Sequence, residues 1–138
     1  GTQRPFQQVG APWLDGGHLA RRLNGYGLDD VRFEAVRFTP ENPGDGKFGG
    51  VEVSGVRFVA TGPDYDPTRA AVAALVEARA LGGEAWEWRP THFDRLAGTD
   101  RLRRGVESGL ELDALTRAWP AELERFRRLR SSYLLYPR

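Results

Sequence analysis

Arg4-Pro5 is the pairing in this chain best suited to chemistry on a ligand. A residue before proline is pushed towards extended backbone, so the Arg4 guanidinium rides on a stiff segment. Its planar fork suits two-pronged recognition of a carboxylate. The same group would serve equally well in a salt bridge tying its segment to the body of the domain, and the sequence leaves both readings open. Trp13, Trp86 and Trp88 offer flat apolar faces for a sugar ring, Trp13 foremost, although aromatic rings more often fill cores.

Other chemistries are poorly served. His18 and His92 stand far apart, and no His-x-x-x-His pair, cysteine cluster or Asp-x-Asp loop has metal-ligand spacing, so neither metal nor cofactor is expected. No Gly-x-Ser-x-Gly elbow supports acyl transfer. Gly44-Asp45-Gly46-Lys47 has the wrong spacing for a phosphate loop and puts Phe48 where a magnesium-binding hydroxyl belongs. Asp15, Asp64, Asp66 and Asp94 all read as turn or cap residues, which leaves no catalytic residue assigned. Arg125, Arg127, Arg128 and Arg130 interleave with Glu122 and Glu124, the pattern of a solvated helix face.

A net charge of +1 from 20 basic and 19 acidic residues removes the basic face a nucleic-acid binder needs. No apolar run approaches bilayer length, so membrane insertion is not expected. With no cysteine there is no disulfide framework. At 138 residues the chain is long enough for one domain with a self-sufficient core.

The elements that must position these groups follow from local pattern. Asp15-Gly16-Gly17 precedes a short amphipathic helix with Leu19, Leu23 and Tyr26 on one face, closed by Gly25 and Gly27. Residues 31–38 read as a strand and 41–50 as a loop. Residues 51–61 form a second strand whose valines change parity between Val53 and Val56. A bulge at Ser54-Gly55 would return both sets to one face. Asp66-Pro67 opens a helix that Gly82-Gly83 ends, and Trp86-Glu87-Trp88 reads as a short edge strand. Thr99 caps a further helix ending near Ser108-Gly109. From Leu112 to Tyr133 an apolar stripe runs at spacings of three and four, broken at Trp119-Pro120 into a short helix and a longer one. The expected class is α+β: a small mixed or antiparallel sheet packed by about four to five helices in a single domain.

Gly1-Thr2-Gln3-Arg4-Pro5-Phe6, Gly10-Ala11-Pro12-Trp13, Phe38-Thr39-Pro40, Gly49-Gly50-Val51, the stretches 64–75 and 93–100, Trp119 to Phe126 and Tyr133-Leu134-Leu135-Tyr136 occur in one order. That ordered set, over nearly the whole chain, resembles the C-terminal domain of the exo-β-N-acetylmuramidase (NamZ-like) family, formerly a domain of unknown function. The resemblance implies an auxiliary, cleft-forming domain, residues 1–138, of a two-domain glycosidase whose N-terminal Rossmann-like domain is absent here. It implies a parent that removes N-acetylmuramic acid from the non-reducing end of peptidoglycan fragments and is secreted, periplasmic or cell-wall associated. The fragment alone would be inactive, its partners being those glycan fragments and the missing domain.

Within that resemblance Arg4 becomes a candidate reader of the lactyl carboxylate of N-acetylmuramic acid, with Trp13 as the second substrate-binding candidate. The sequence departs from the family at Gln7, where Glu is frequent, and at Gln3, where Thr is usual. An amide donates no proton as a general acid, so Gln7 takes no such role. The alternative function is a stand-alone carbohydrate- or peptidoglycan-binding module without catalysis.

Overall fold

A computed structural model describes residues 4–136, and Gln3 lies outside them. The chain divides into two compact units, 1–89 and 90–138. The elements of the first are β1 (Gln8–Ala11), α1 (Gly16–Asn24), β2 (Val31–Phe38), β3 (Val53–Ala60), α2 (Pro67–Gly82) and a single 3₁₀ turn (Gly83–Ala85). Those of the second are α3 (Pro90–Ala97), α4 (Arg101–Glu107), α5 (Leu112–Thr116) and α6 (Trp119–Ser131). The class is α+β, as the sequence implies.

The sheet of the first unit is antiparallel, in the order β1-β3-β2. Glu34 stands opposite Arg57, Phe33 opposite Phe58, and Val9 opposite Val56. This register runs unbroken, and the bulge expected at Ser54-Gly55 is not there. Val53 and Val56 point to opposite faces and both are buried, because β3 is the central strand and is covered in part on each side. A one-faced strand was the wrong premise.

Helix α1 packs on the face that carries Phe33, Ser54 and Val56. The Gly16 N–H donates to Ser54 Oγ at 3.0 Å, and Leu19 and Leu23 are fully buried. Asn24 binds both backbone groups of Phe33, donating to its carbonyl at 2.9 Å and accepting from its N–H at 3.0 Å. It thus supplies what a neighbouring strand would give that edge. Asp15 caps α1 by accepting from the His18 N–H, and Asp66 caps α2 by accepting from Thr68 and Arg69, with Pro67 in the first turn. Small buried residues, Ala70, Ala73, Ala74 and Ala78, let α2 approach its neighbours closely.

Past α2 the chain turns through Gly83 at φ 48° and does not form the expected edge strand at Trp86-Glu87-Trp88. Trp86 is held instead between Trp13 and Trp88, edge to face, at centroid distances of 6.1 and 5.2 Å. Ring packing has taken precedence over backbone pairing.

In the second unit, Thr99 Oγ1 accepts from the Arg101 N–H at 3.2 Å at the start of α4. Arg103 grips Asp94 of α3 through two nitrogens, at 2.7 to 3.2 Å, and reaches Glu107 at 3.1 Å. The break between α5 and α6 falls at Arg117-Ala118, and Pro120 sits in the first turn of α6. The stripe Leu123, Phe126, Leu129 and Tyr133 is more than half exposed along its length. No helix among the described residues is long and apolar enough to cross a membrane.

Candidate functional site

The sheet face opposite α1 is divided, with buried Val53 beside Phe38 at one end and charge at the other. By register it holds Arg32 and Glu34 of β2 beside Arg57 and Val59 of β3. Both arginines donate to the Glu34 carboxylate, Arg32 to one oxygen at 2.5 Å and Arg57 to the other. These bonds, Arg57 first, hold the Glu34 carboxyl below the usual carboxylate range. Glu34 is therefore ionised and engaged, and is no proton donor at neutral pH.

Above this pair lies a cleft of about 500 Å³ lined by Arg4, Phe6, Arg32, Glu34, Arg57 and Tyr65, among others. The approach of the N-terminal segment is fixed by backbone: the Phe58 N–H donates to the Gln7 carbonyl at 2.8 Å, extending the β1–β3 pairing by one bond. The Gln7 N–H returns to the Arg4 carbonyl at 3.4 Å, closing a turn with Pro5 second and Phe6 third. Proline presets the second position of such a turn. Among the described residues no carboxylate lies within ion-pair distance of Arg4. Three guanidiniums against one carboxylate leave the cleft cationic, and burial pushes the Tyr65 phenol up, keeping it a neutral donor.

Phe6 carries the third position of the turn at φ 62°, in the left-handed region that a glycine ordinarily occupies. Such a conformation costs on the order of 1–3 kcal/mol for a side chain of this kind. The ring is fully exposed, at 105% of its reference area, so no burial within the chain offsets that cost.

The other sequence candidates fall elsewhere. Trp13 is half-buried, edge-on to Trp86 and against Gly82, and does not line the cleft with Arg4. His18 and His92 are exposed, and no group of three metal-ligating side chains occurs among the described residues. Asp15 and Asp66 are caps as read. Asp94 is not: its carboxylate belongs to Arg103, whose hydrogen bonds lower its pKa. A smaller recess of about 170 Å³ near Asp29, Asp64 and Arg69 borders the α2 cap. Sequence reading missed Arg32, Glu34, Arg57 and Tyr65 as cleft residues; alternation of Arg and Glu in β2 was the available signal, and it says nothing of what lies opposite.

The family model for the C-terminal domain of the exo-beta-N-acetylmuramidase NamZ matches residues 1–136. The peptidoglycan beta-N-acetylmuramidase NamZ of Bacillus subtilis (strain 168) is 30% identical over 138 residues, 99% of this chain and 33% of the relative. The crystal structure of a DUF1343 family protein from Bacteroides fragilis superposes with a TM-score of 0.81 at 22% identity, over 96% of this chain and 36% of that one. That likeness speaks for the fold. The chain thus spans about a third of the length of either protein.

Proposed function

The chain belongs to the family of NamZ C-terminal domains, and from that premise we propose that it forms one wall of the substrate cleft of a peptidoglycan exo-β-N-acetylmuramidase. In this reading the Arg4 guanidinium meets the lactyl carboxylate of a non-reducing-end N-acetylmuramic acid. The observation that supports it is a guanidinium with no carboxylate partner among the described residues, set at a cationic cleft beside Arg32 and Arg57. A charged group left unpaired in the free protein is available to a ligand at little cost in broken contacts.

Glycoside hydrolysis ordinarily uses two carboxyl groups flanking the scissile bond. The carboxylate of this cleft, Glu34, is already bound by two arginines, and Gln7 is an amide. The proposal therefore gives this domain orientation and specificity, and gives catalysis to the remainder of a longer protein. Peptidoglycan as substrate would place that protein outside the cytoplasmic membrane, in the periplasm or at the cell wall.

Kinetics of the full-length protein test the reading. Arg4→Ala is expected to lower kcat/KM for muramides about 10- to 150-fold, the consequence of losing a charge-assisted contact of about 1.5–3 kcal/mol. Arg4→Lys should recover part of this, and neither change should alter the melting temperature. Loss of stability with unchanged kinetics in both variants would return Arg4 to a structural role. Tight binding of muramyl glycans with no turnover would favour a binding module.

A further inference from the structure

We propose that Phe6 is a sugar-stacking platform of this cleft, presenting its ring to the apolar face of a pyranose whose carboxylate is held by Arg4. The inference rests on the muramidase reading above for the identity of the sugar. The ring and its placement are independent of it.

Two observations converge on Phe6. Its backbone is strained, at φ 62°, and its ring gains nothing from the chain's own core, being wholly in solvent. A position that holds an unfavourable conformation and an unfavourable exposure together is one where a side chain is kept for something outside the fold. The second observation is where the turn puts it. Phe6 lines the same cleft as Arg4, Arg57 and Tyr65, and the Gln7–Phe58 backbone bond fixes the turn to the sheet edge.

The chemistry suits a carboxylated sugar better than a peptide or a bare anion. An aromatic face packs against the C–H bonds of a pyranose, while guanidinium and phenol groups take its polar edge. A simple anion would need the arginines and no ring. A rigid ring on a proline-preset turn also loses little freedom on binding, so contact made there is efficient.

The strained backbone gives the test opposite signs for stability and function. In the full-length protein, Phe6→Gly should raise Tm by about 2 °C, because glycine accepts the left-handed conformation and no buried contact is lost. The same change should raise KM for muramides, or the inhibition constant of free N-acetylmuramic acid, roughly 10-fold while kcat changes much less. Phe6→Trp should keep the affinity and Phe6→Leu should lose it, since both retain the strain and only one retains a ring.

A lowered Tm for Phe6→Gly would show that the ring serves the fold and would overturn the proposal. So would unchanged KM in Phe6→Gly or equal affinity in the Trp and Leu variants, with Arg4→Ala still impaired. That last pattern would leave the muramidase reading standing. Conversely, a protein that binds N-acetylmuramic acid through Phe6 yet hydrolyses no muramide would support the platform and sink the catalytic assignment.

Discussion

Arg22 on α1 donates its Nε–H to the carboxylate of Glu77 on α2, and Glu77 is only 4% exposed. Tyr26 donates to the other Glu77 oxygen at 2.7 Å, so this carboxylate joins the two helices of the first unit from one buried point. A buried carboxylate that loses a partner keeps its desolvation cost.

Tyr26→Phe, which leaves the carboxylate buried, is therefore expected to cost about 1 kcal/mol, and Glu77→Ala, which takes the shared acceptor from both donors and opens a cavity, about 2–3 kcal/mol. Arg22 is half exposed, which keeps its own share modest. Because the three groups form one network, the double variant Arg22→Ala/Tyr26→Phe should cost more than the sum of its parts. Urea titrations of the four proteins measure this, and strict additivity would mean that the network carries no coupling.

The second unit supplies a pH-dependent contact. Hydrogen bonds from Arg103 lower the Asp94 pKa below its ordinary value. A depressed folded pKa adds stability above the unfolded carboxylate range, about pH 3.9, and that contribution is lost as pH falls through the folded value. Asp94→Asn should accordingly lower Tm at pH 7, and the gap from the unaltered chain should narrow as pH falls below the ordinary carboxylate range. A gap that stays constant over this interval would show that the Asp94 charge is not what matters.

How much of this was legible in the sequence depended on range. Asp15, Asp66 and the glycines after their helices act within three or four residues, so their roles are written locally, and the structure has them as read. Helix α3 escaped notice although Phe93, Leu96 and Ala97 stand at helical spacing, because eight residues are too few for pattern alone to separate a helix from a loop. Periodicity from Leu112 to Tyr133 reports a helix face but not what covers it, and along α6 the stripe remains exposed. The cleft was the least legible part. Arg4, Glu34 and Arg57 come from separate segments, and what joins them is the register Glu34 opposite Arg57 together with the bond from Phe58 to Gln7. Neither is encoded at short range.

Pro120 offers a cleaner case of position deciding a residue's effect. In a helix interior, replacing proline with alanine would stabilise by about 3 kcal/mol. Pro120 lies in the first turn of α6, where its missing N–H leaves no bond unmade and its ring presets φ. Pro120→Ala should thus change stability by less than about 1 kcal/mol, towards destabilisation. A thermal melt showing a gain of several degrees would place Pro120 inside a continuous helix.

The last prediction links packing to the cleft through Gly55. A Cβ there would stand 1.9 Å from the Val9 carbonyl oxygen and 2.6 Å from Gly10 Cα, and both obstacles are backbone. On the neighbouring side, a Cβ on Gly16 would meet the Gly55 carbonyl oxygen at 2.2 Å, so β1 and α1 both close tightly on this point of β3. Neither neighbour is the end of a flexible side chain, and the strain must be relieved by moving a strand or a helix. Gly55→Ala should cost about 3 kcal/mol, at the upper end of overpacking penalties. The weaker of the two attachments is β1, only four residues long, and the turn that carries Arg4 and Phe6 follows from its pairing. Gly55→Ala should then loosen β1 before the rest of the unit, seen as faster exchange of the Val9 and Ala11 amides, which face β3, than along β2. Substrate affinity should fall with it, although no cleft side chain has been altered. Uniform exchange across β1 and β2 in the variant, or full affinity despite frayed β1 amides, would separate the turn's position from the register that this structure ties it to.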